Sequence, residues 1–201
     1  MVKGLIDRRT VMDTFTKRSS NREFWRQMGS SGHACQIYDD SNDLVETLTS
    51  YVGGGLWAGD AAVLIAEEQR LRMLEERLRE SGLDLAHFRA DDRYIALSAE
   101  ATLSRFLVDD WPDAGLFGQV VGEVVARARR GSRPVRAFGE MVSILWRRGN
   151  FAAAIRLEQL WSRLIEQSPL RLLCAYEKRH FERADQGSRN AVRETHAPFL
   201  A

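Results

Sequence analysis

The 201-residue chain predicts an α/β fold, a mainly parallel sheet of about five strands with helices on both faces. Three observations carry that expectation. Short apolar, β-rich runs alternate with segments of helical periodicity, the pattern of βαβ units. The length suits one globular domain of roughly 100 to 200 residues with an extension. Hydrophobic residues make up 44% and charged residues 28% of the chain, as in a folded soluble protein, and no apolar run reaches the roughly 18 residues of a membrane span.

Residues 1–32 come first and lack apolar periodicity. They carry seven basic and three acidic side chains and end in MGSSG, a small-residue junction. A short helix around Asn21–Met28 is expected there, and one helix cannot build a helix-turn-helix. The domain itself is expected over 33–182. Its strands are read at HACQIY (33–38), AAVLIA (61–66), RYIAL (93–97), PVRAF (134–138) and LRLLCAY (170–176). Between the first two, Ser41 is placed as the cap of a helix with Leu44, Leu48 and Tyr51 on one face, stopping at Gly53-Gly54-Gly55. An amphipathic helix follows over Glu67–Arg79, ending near Gly82. The next spans Pro112–Arg130, with proline in its first turn and Gly131 beyond its end. Two more are expected near Glu140–Arg147 and Phe151–Glu166. Residues 183–201 carry too few clustered apolar groups to offset ordering entropy and read as a mobile tail.

Charge and composition exclude several functions. The net charge of +1 gives no global reason for a nucleic-acid or membrane partner, so direct nucleic-acid binding is not expected. Locally the chain is polarised: residues 33–66 hold five acids and no base, whereas 119–201 hold fifteen bases and eight acids. Lys3, Lys17 and Lys178 are the only lysines, and no Gly-Lys pair exists. A P-loop needs that pair, because the ammonium neutralises the terminal phosphates. The start lacks a secretory apolar stretch and the chain has two cysteines, so a reduced cytoplasmic setting is expected.

Ligands of open α/β sheets bind outside the carboxyl ends of the strands. That rule selects Tyr38 with Asp39 and Asp40, Glu67 with Glu68, Ser98 to Glu100, Gly139 with Glu140, and Tyr176 with Glu177. The set is acidic, which favours a neutral or cationic small molecule over a phosphate. Glu140 directly follows a strand and suits either a ligand acceptor or an acid in the first turn of the next helix. His33 and Cys35, two apart on a strand, share a face. They supply two metal ligands where zinc or iron needs three or four, with Cys174 or Glu140 as the recruits, so no metal or other cofactor is expected. Cys35 as a nucleophile lacks a converging base, since His33 lies beside it. Cys35 and Cys174 read first as small buried hydrophobes on neighbouring strands. Glu158 sits amid Ile155, Leu157 and Leu160, and an acid so placed calls for an arginine, Arg136 or Arg156.

Several blocks together resemble one family. HACQIY (33–38), GGLWAGD (54–60), VRAFGEM (135–141) with Leu145-Trp146, Gly149-Asn150, AIRLE (154–158) with Leu160-Trp161, and LCAY (173–176) are similar to the MEDS domain, the methanogen/methylotroph, DcmR sensory domain. The resemblance spans about residues 31–182. It implies a non-enzymatic sensory domain of prokaryotic signalling that binds a small molecule, such as a hydrocarbon derivative, and regulates a partner such as a histidine kinase or transcriptional regulator. It also implies a degenerate relative of RecA/KaiC-like ATPases whose P-loop is lost. Glu67-Glu68-Gln69-Arg70 stands where such a loop would be. The chain departs from the repressor form of the family by having no room for a DNA-binding module, which favours a stand-alone sensor, with self-association a further option. On this basis the ligand set is expected to be His33, Cys35, Tyr38, Glu140, Cys174 and Tyr176. The alternative reading is a nucleotide-binding protein with residual ATPase activity.

Overall fold

The structure, a computed structural model, describes residues 31–197 and 199–200. The basic N-terminal segment, with its expected helix at 21–28, lies outside the described residues. The main sheet runs β3-β2-β6-β7-β1-β8, every neighbouring pair parallel. Its five long strands are β1 (Gly32–Tyr38), β2 (Ala61–Ala66), β3 (Tyr94–Ser98), β6 (Val135–Gly139) and β7 (Arg171–Glu177). Each lies within a residue or so of its expected place. The two-residue β8 (Phe199–Leu200) adds an edge beside β1, and β4 (Leu107–Val108) with β5 (Trp111–Pro112) form a small hairpin. Asp109 and Asp110 both take positive φ, 50° and 59°, as a two-residue primed turn requires.

All six residues of β2 are buried, as expected of a parallel strand covered on both faces. Alternate side chains feed two separate cores. On one face α1 (Ser41–Trp57), α2 (Glu68–Glu80) and α3 (Leu85–Ala90) cover Ala34, Leu64, Phe138 and Leu173. On the other lie α4 (Ala99–Leu103), the broken helix α5 (Ala114–Phe117 and Glu123–Ala128, joined by a π-turn at Gly118–Gly122), α6 (Met141–Arg147), α7 (Phe151–Gln167), α8 (Lys178–Phe181) and α9 (Gln186–Thr195). They bury Val63, Ile65, Ala137, Leu172 and Cys174. The chain moves toward the β3 edge while its helices use the first face, then turns back to β6 and uses the second, so the neighbouring strands β2 and β6 send their following helices to opposite faces. That reversal is a topological switch point.

Three local expectations are corrected. Asp40, not Ser41, caps α1: its carboxylate accepts from Asn42 N at 2.8 Å. The helix also runs through Gly53-Gly54-Gly55 to Trp57. Gly55 permits a close approach instead of a stop, since a Cβ there would lie 2.6 Å from Cδ and Nε of Arg136. The Arg136 guanidinium passes there to reach Asp60 Oδ2 (2.7 Å) and the carbonyl of Tyr51 (2.9 Å). Pro112 belongs to β5, and Asp113 caps the following helix by accepting from Leu116 N at 2.8 Å.

The C-terminal residues also differ from the expected tail. Residues 186–195 form α9, capped by Asp185, whose carboxylate accepts from Ser188 N at 2.9 Å. The helix docks through few groups, which is why its apolar content alone does not mark it. Val192 is fully buried, and His196, just past the helix end, is 6% exposed.

Candidate functional site

Two buried polar constellations lie against the sheet, one on each face. At the switch point, Glu140 ends β6 beside Glu67, which ends the turn after β2. Glu140 Oε2 accepts the backbone N–H of Glu67 at 2.9 Å, and Oε1 accepts from Arg70 Nε at 2.7 Å. The same guanidinium donates to Ser41 Oγ (2.9 Å) and Tyr38 Oη (3.0 Å) and lies over the Tyr38 ring. Arg70 and Glu140 are 6% and 2% exposed. Burial pushes the Tyr38 phenol up to about 12, against the opposing pull of Arg70. The N-terminal amide of α2, which in a phosphate-binding loop would face an anion, therefore already holds a carboxylate.

The second constellation is deeper. Strand alternation turns His33 of β1 and Cys174 and Tyr176 of β7 toward α7. One helical turn there sets Glu158 and Ser162 on the same face. His196 enters from beyond α9, its ring centroid 4.1 Å from that of His33. Glu158 is the centre: Tyr176 donates to its Oε1 at 2.6 Å and Cys174 Sγ donates to its Oε2 at 3.3 Å. His33 Nε2 and His196 Nε2 lie 3.1 and 3.4 Å from that same Oε2. The two ring Nδ1 atoms are engaged elsewhere. His33 Nδ1 lies 3.2 Å from Ser162 Oγ, whose hydroxyl donates to the Glu158 carbonyl, so the Oγ lone pair receives Nδ1–H. His196 Nδ1 lies 2.6 Å from the Val192 carbonyl, which can only accept.

The electrostatics follow from burial around one carboxylate. Burial alone would raise the Glu158 carboxyl, but His196 and His33 outweigh it and hold the group well below the usual carboxylate range. Burial lowers His33 despite Glu158. For His196 burial acts in the same direction, yet the Glu158 charge prevails and raises it. Burial, reinforced by Glu158, pushes the thiols of Cys35 and Cys174 and the phenol of Tyr176 up. A fully buried carboxylate is costly unless paired and hydrogen-bonded, and here four side chains supply that compensation.

The structure thus divides the residues expected from the sequence. It brings His33, Cys174 and Tyr176 together and places Tyr38 and Glu140 together on the opposite face around Arg70. Cys35 stands in register with Cys174 on the neighbouring strand, fully buried, and both are free thiols. The arginine partner expected for Glu158 is corrected: Arg136 serves Asp60, and Glu158 is met by histidines, a thiol and a phenol. Sequence reasoning misses His196 altogether, because it follows a stretch with one buried apolar residue. The acid amid apolar positions is the usable signal for Glu158.

Among the described residues, a groove of about 340 Å³ opens at the carboxyl ends of β1 and β7, lined by Ile37, Asp39, Lys178, Phe181, Arg189 and Arg193 among others. No helix of the described residues is long and apolar enough to cross a membrane. A comparison with curated proteins finds no match. The family model for the MEDS domain, described as methanogen/methylotroph, DcmR sensory domain, matches residues 32–197. The match begins at β1 and runs past His196, so it encloses both constellations. The chain belongs to the MEDS family of sensory domains.

Proposed function

We propose that this sensory domain binds a small organic molecule in the groove at the carboxyl ends of β1 and β7, and signals to a protein partner through the packing of α8 and α9. One observation carries the reading. The groove is walled on one side by the sheet, through Ile37 and Asp39, and on the other by α8 and α9, through Phe181, Glu182, Gln186, Arg189 and Arg193. A ligand wedged there touches the rigid and the lightly held part of the domain at once. Its volume falls at the small end of ligand pockets, roughly 300–1,000 Å³. An apolar floor of Ile37 and Phe181 under acids and bases of both signs suits a small molecule with a hydrocarbon portion and a polar head. To shift the population, the molecule must bind one packing of α9 better than another.

The nucleotide-binding reading has less support, because a phosphate at the α2 N-terminus would have to displace the Glu140 carboxylate from Glu67 N–H. The test is a thermal-shift panel of small alcohols, amines, carboxylates and halogenated hydrocarbons on the protein and on Arg193→Ala. The reading expects a compound that stabilises the protein and loses that effect in Arg193→Ala. A compound that stabilises both proteins equally, or stabilisation by ATP with magnesium alone, would overturn it.

A further inference from the structure

His33, Glu158, Cys174 and His196 each bring one ligand atom into a buried cluster in which all four lie within 4.8 Å of one another. We propose that His33 Nε2, Glu158 Oε2, Cys174 Sγ and His196 Nε2 form a four-coordinate site for a zinc-class divalent metal ion, with ligands from β1, α7, β7 and the residue after α9.

The spacing fits. Bonds of about 2.0–2.3 Å around tetrahedral zinc put neighbouring ligand atoms about 3.3–3.7 Å apart. Four of the six separations are 3.1 Å (His33 Nε2 to Glu158 Oε2), 3.3 Å (Cys174 Sγ to Oε2), 3.4 Å (His33 Nε2 to Cys174 Sγ) and 3.4 Å (His196 Nε2 to Oε2), and the two from His196 Nε2 to His33 and Cys174 lie within 4.8 Å. The donor set of two imidazoles, a thiolate and a carboxylate suits zinc and its neighbours and not calcium or magnesium, which demand oxygen. Thiolate and carboxylate together neutralise a divalent charge, as a buried site requires.

Two independent features point the same way. The His196 side chain is wholly buried, and its Nε2 points into the cluster, 3.4 Å from Glu158 Oε2 but without the geometry of a hydrogen bond. The surroundings also preset both tautomers. With Nδ1–H of His33 on Ser162 Oγ and Nδ1–H of His196 on the Val192 carbonyl, Nε2 is the atom that each ring turns inward, where a bound metal would take the place of any proton. Metal-bound histidines show that outer arrangement. From the sequence, His33-x-Cys35 offers two ligands. The fold sets Cys35 aside and brings in Glu158 and His196. Three ligands lie on the sheet and α7 and only one on the C-terminal segment, so occupancy fastens α9 to the domain.

Cobalt(II) titrated into the reduced, chelator-treated full chain tests the site without reference to the groove. The expected result is one equivalent bound, with a thiolate-to-cobalt charge-transfer band in the near ultraviolet and the intense visible bands of tetrahedral cobalt. The chain has two cysteines, so Cys35→Ser leaves Cys174 as the sole thiol and should retain both features. His196→Ala should weaken binding at least about tenfold, in the range of losses seen when a metal site is disturbed. Substoichiometric binding, a weak octahedral spectrum, or loss of the charge-transfer band in a folded Cys35→Ser protein would overturn the proposal.

Discussion

Tyr176 donates a 2.6 Å hydrogen bond to Glu158 Oε1, and that contact leaves the other carboxylate oxygen, Oε2, to His33, Cys174 and His196. The phenol ring is itself fixed by Trp146 and Phe181, at centroid distances of 5.1 and 5.4 Å. Tyr176→Phe keeps those ring contacts and removes only the hydroxyl. The expected cost is about 1.5–3 kcal/mol, the range for a hydrogen bond to a charged group, read as a lower urea midpoint with an unchanged slope. A loss below about 0.5 kcal/mol would mean that the hydroxyl is not what holds Oε1.

The Arg70–Glu140 pair is the second buried charge site, and its partners predict strong coupling. Glu140→Ala leaves a buried guanidinium with only Ser41 and Tyr38 as acceptors, and Arg70→Ala strands the carboxylate. Each should cost about 3–5 kcal/mol. The double variant should cost less than the sum, with a coupling energy of about 1–3 kcal/mol in a double-mutant cycle. Additive losses would contradict the geometry.

The glycines of α1 give predictions of opposite sign. Gly54 is exposed, and a methyl group added to it would meet nothing within 4 Å, so Gly54→Ala should stabilise the helix by about 0.5–1 kcal/mol. Gly55→Ala forces Arg136 away from Asp60 and should destabilise by about 1–3 kcal/mol, the cost of overpacking. Thermal unfolding of the two variants separates the cases. A gain in both would show that Arg136 yields without cost.

Alkaline titration should find no native phenolate at the usual position. Burial raises Tyr51 and Tyr94 as it does Tyr38, which is pushed up to about 12. Tyr176, under Glu158, shifts the same way. These are acids favoured in their neutral form in the fold. Their contribution is fully present below about pH 10, the unfolded tyrosine value, and is lost as pH rises from there toward the folded values. Phenolate absorbance should therefore appear together with the loss of tertiary circular dichroism. A phenolate step near pH 10 with the fold intact would contradict the burial of these rings.

Much of the architecture is legible in the chain, because parallel strands buried on both faces read as unbroken apolar runs, AAVLIA at 61–66 being the clearest. The strand order is not, since nothing local tells β6 to lie between β2 and β7. The glycines at 53–55 read locally as a helix stop because the reason for Gly55, the passage of Arg136 across α1, lies about eighty residues away. His33, Cys174 and Tyr176 follow from strand ends and side-chain alternation. Glu158 stands out for its place among apolar residues, but its partners are spread from residue 33 to residue 196. A helix held by Val192 and one buried imidazole carries almost no hydrophobic signature, so α9 resembles a tail.

His196 ties the end of α9 to α7 and the sheet through Glu158 Oε2 (3.4 Å) and the His33 ring, beside the buried Val192 and the Ala197 N–H bond to the His33 carbonyl. Hydrogen exchange over residues 186–196, compared between the protein and His196→Ala, tests this most directly. Exchange in this segment should rise markedly in the variant while amides of β2 and β6 stay protected. Unchanged protection over 186–196 in a folded His196→Ala protein would contradict that role.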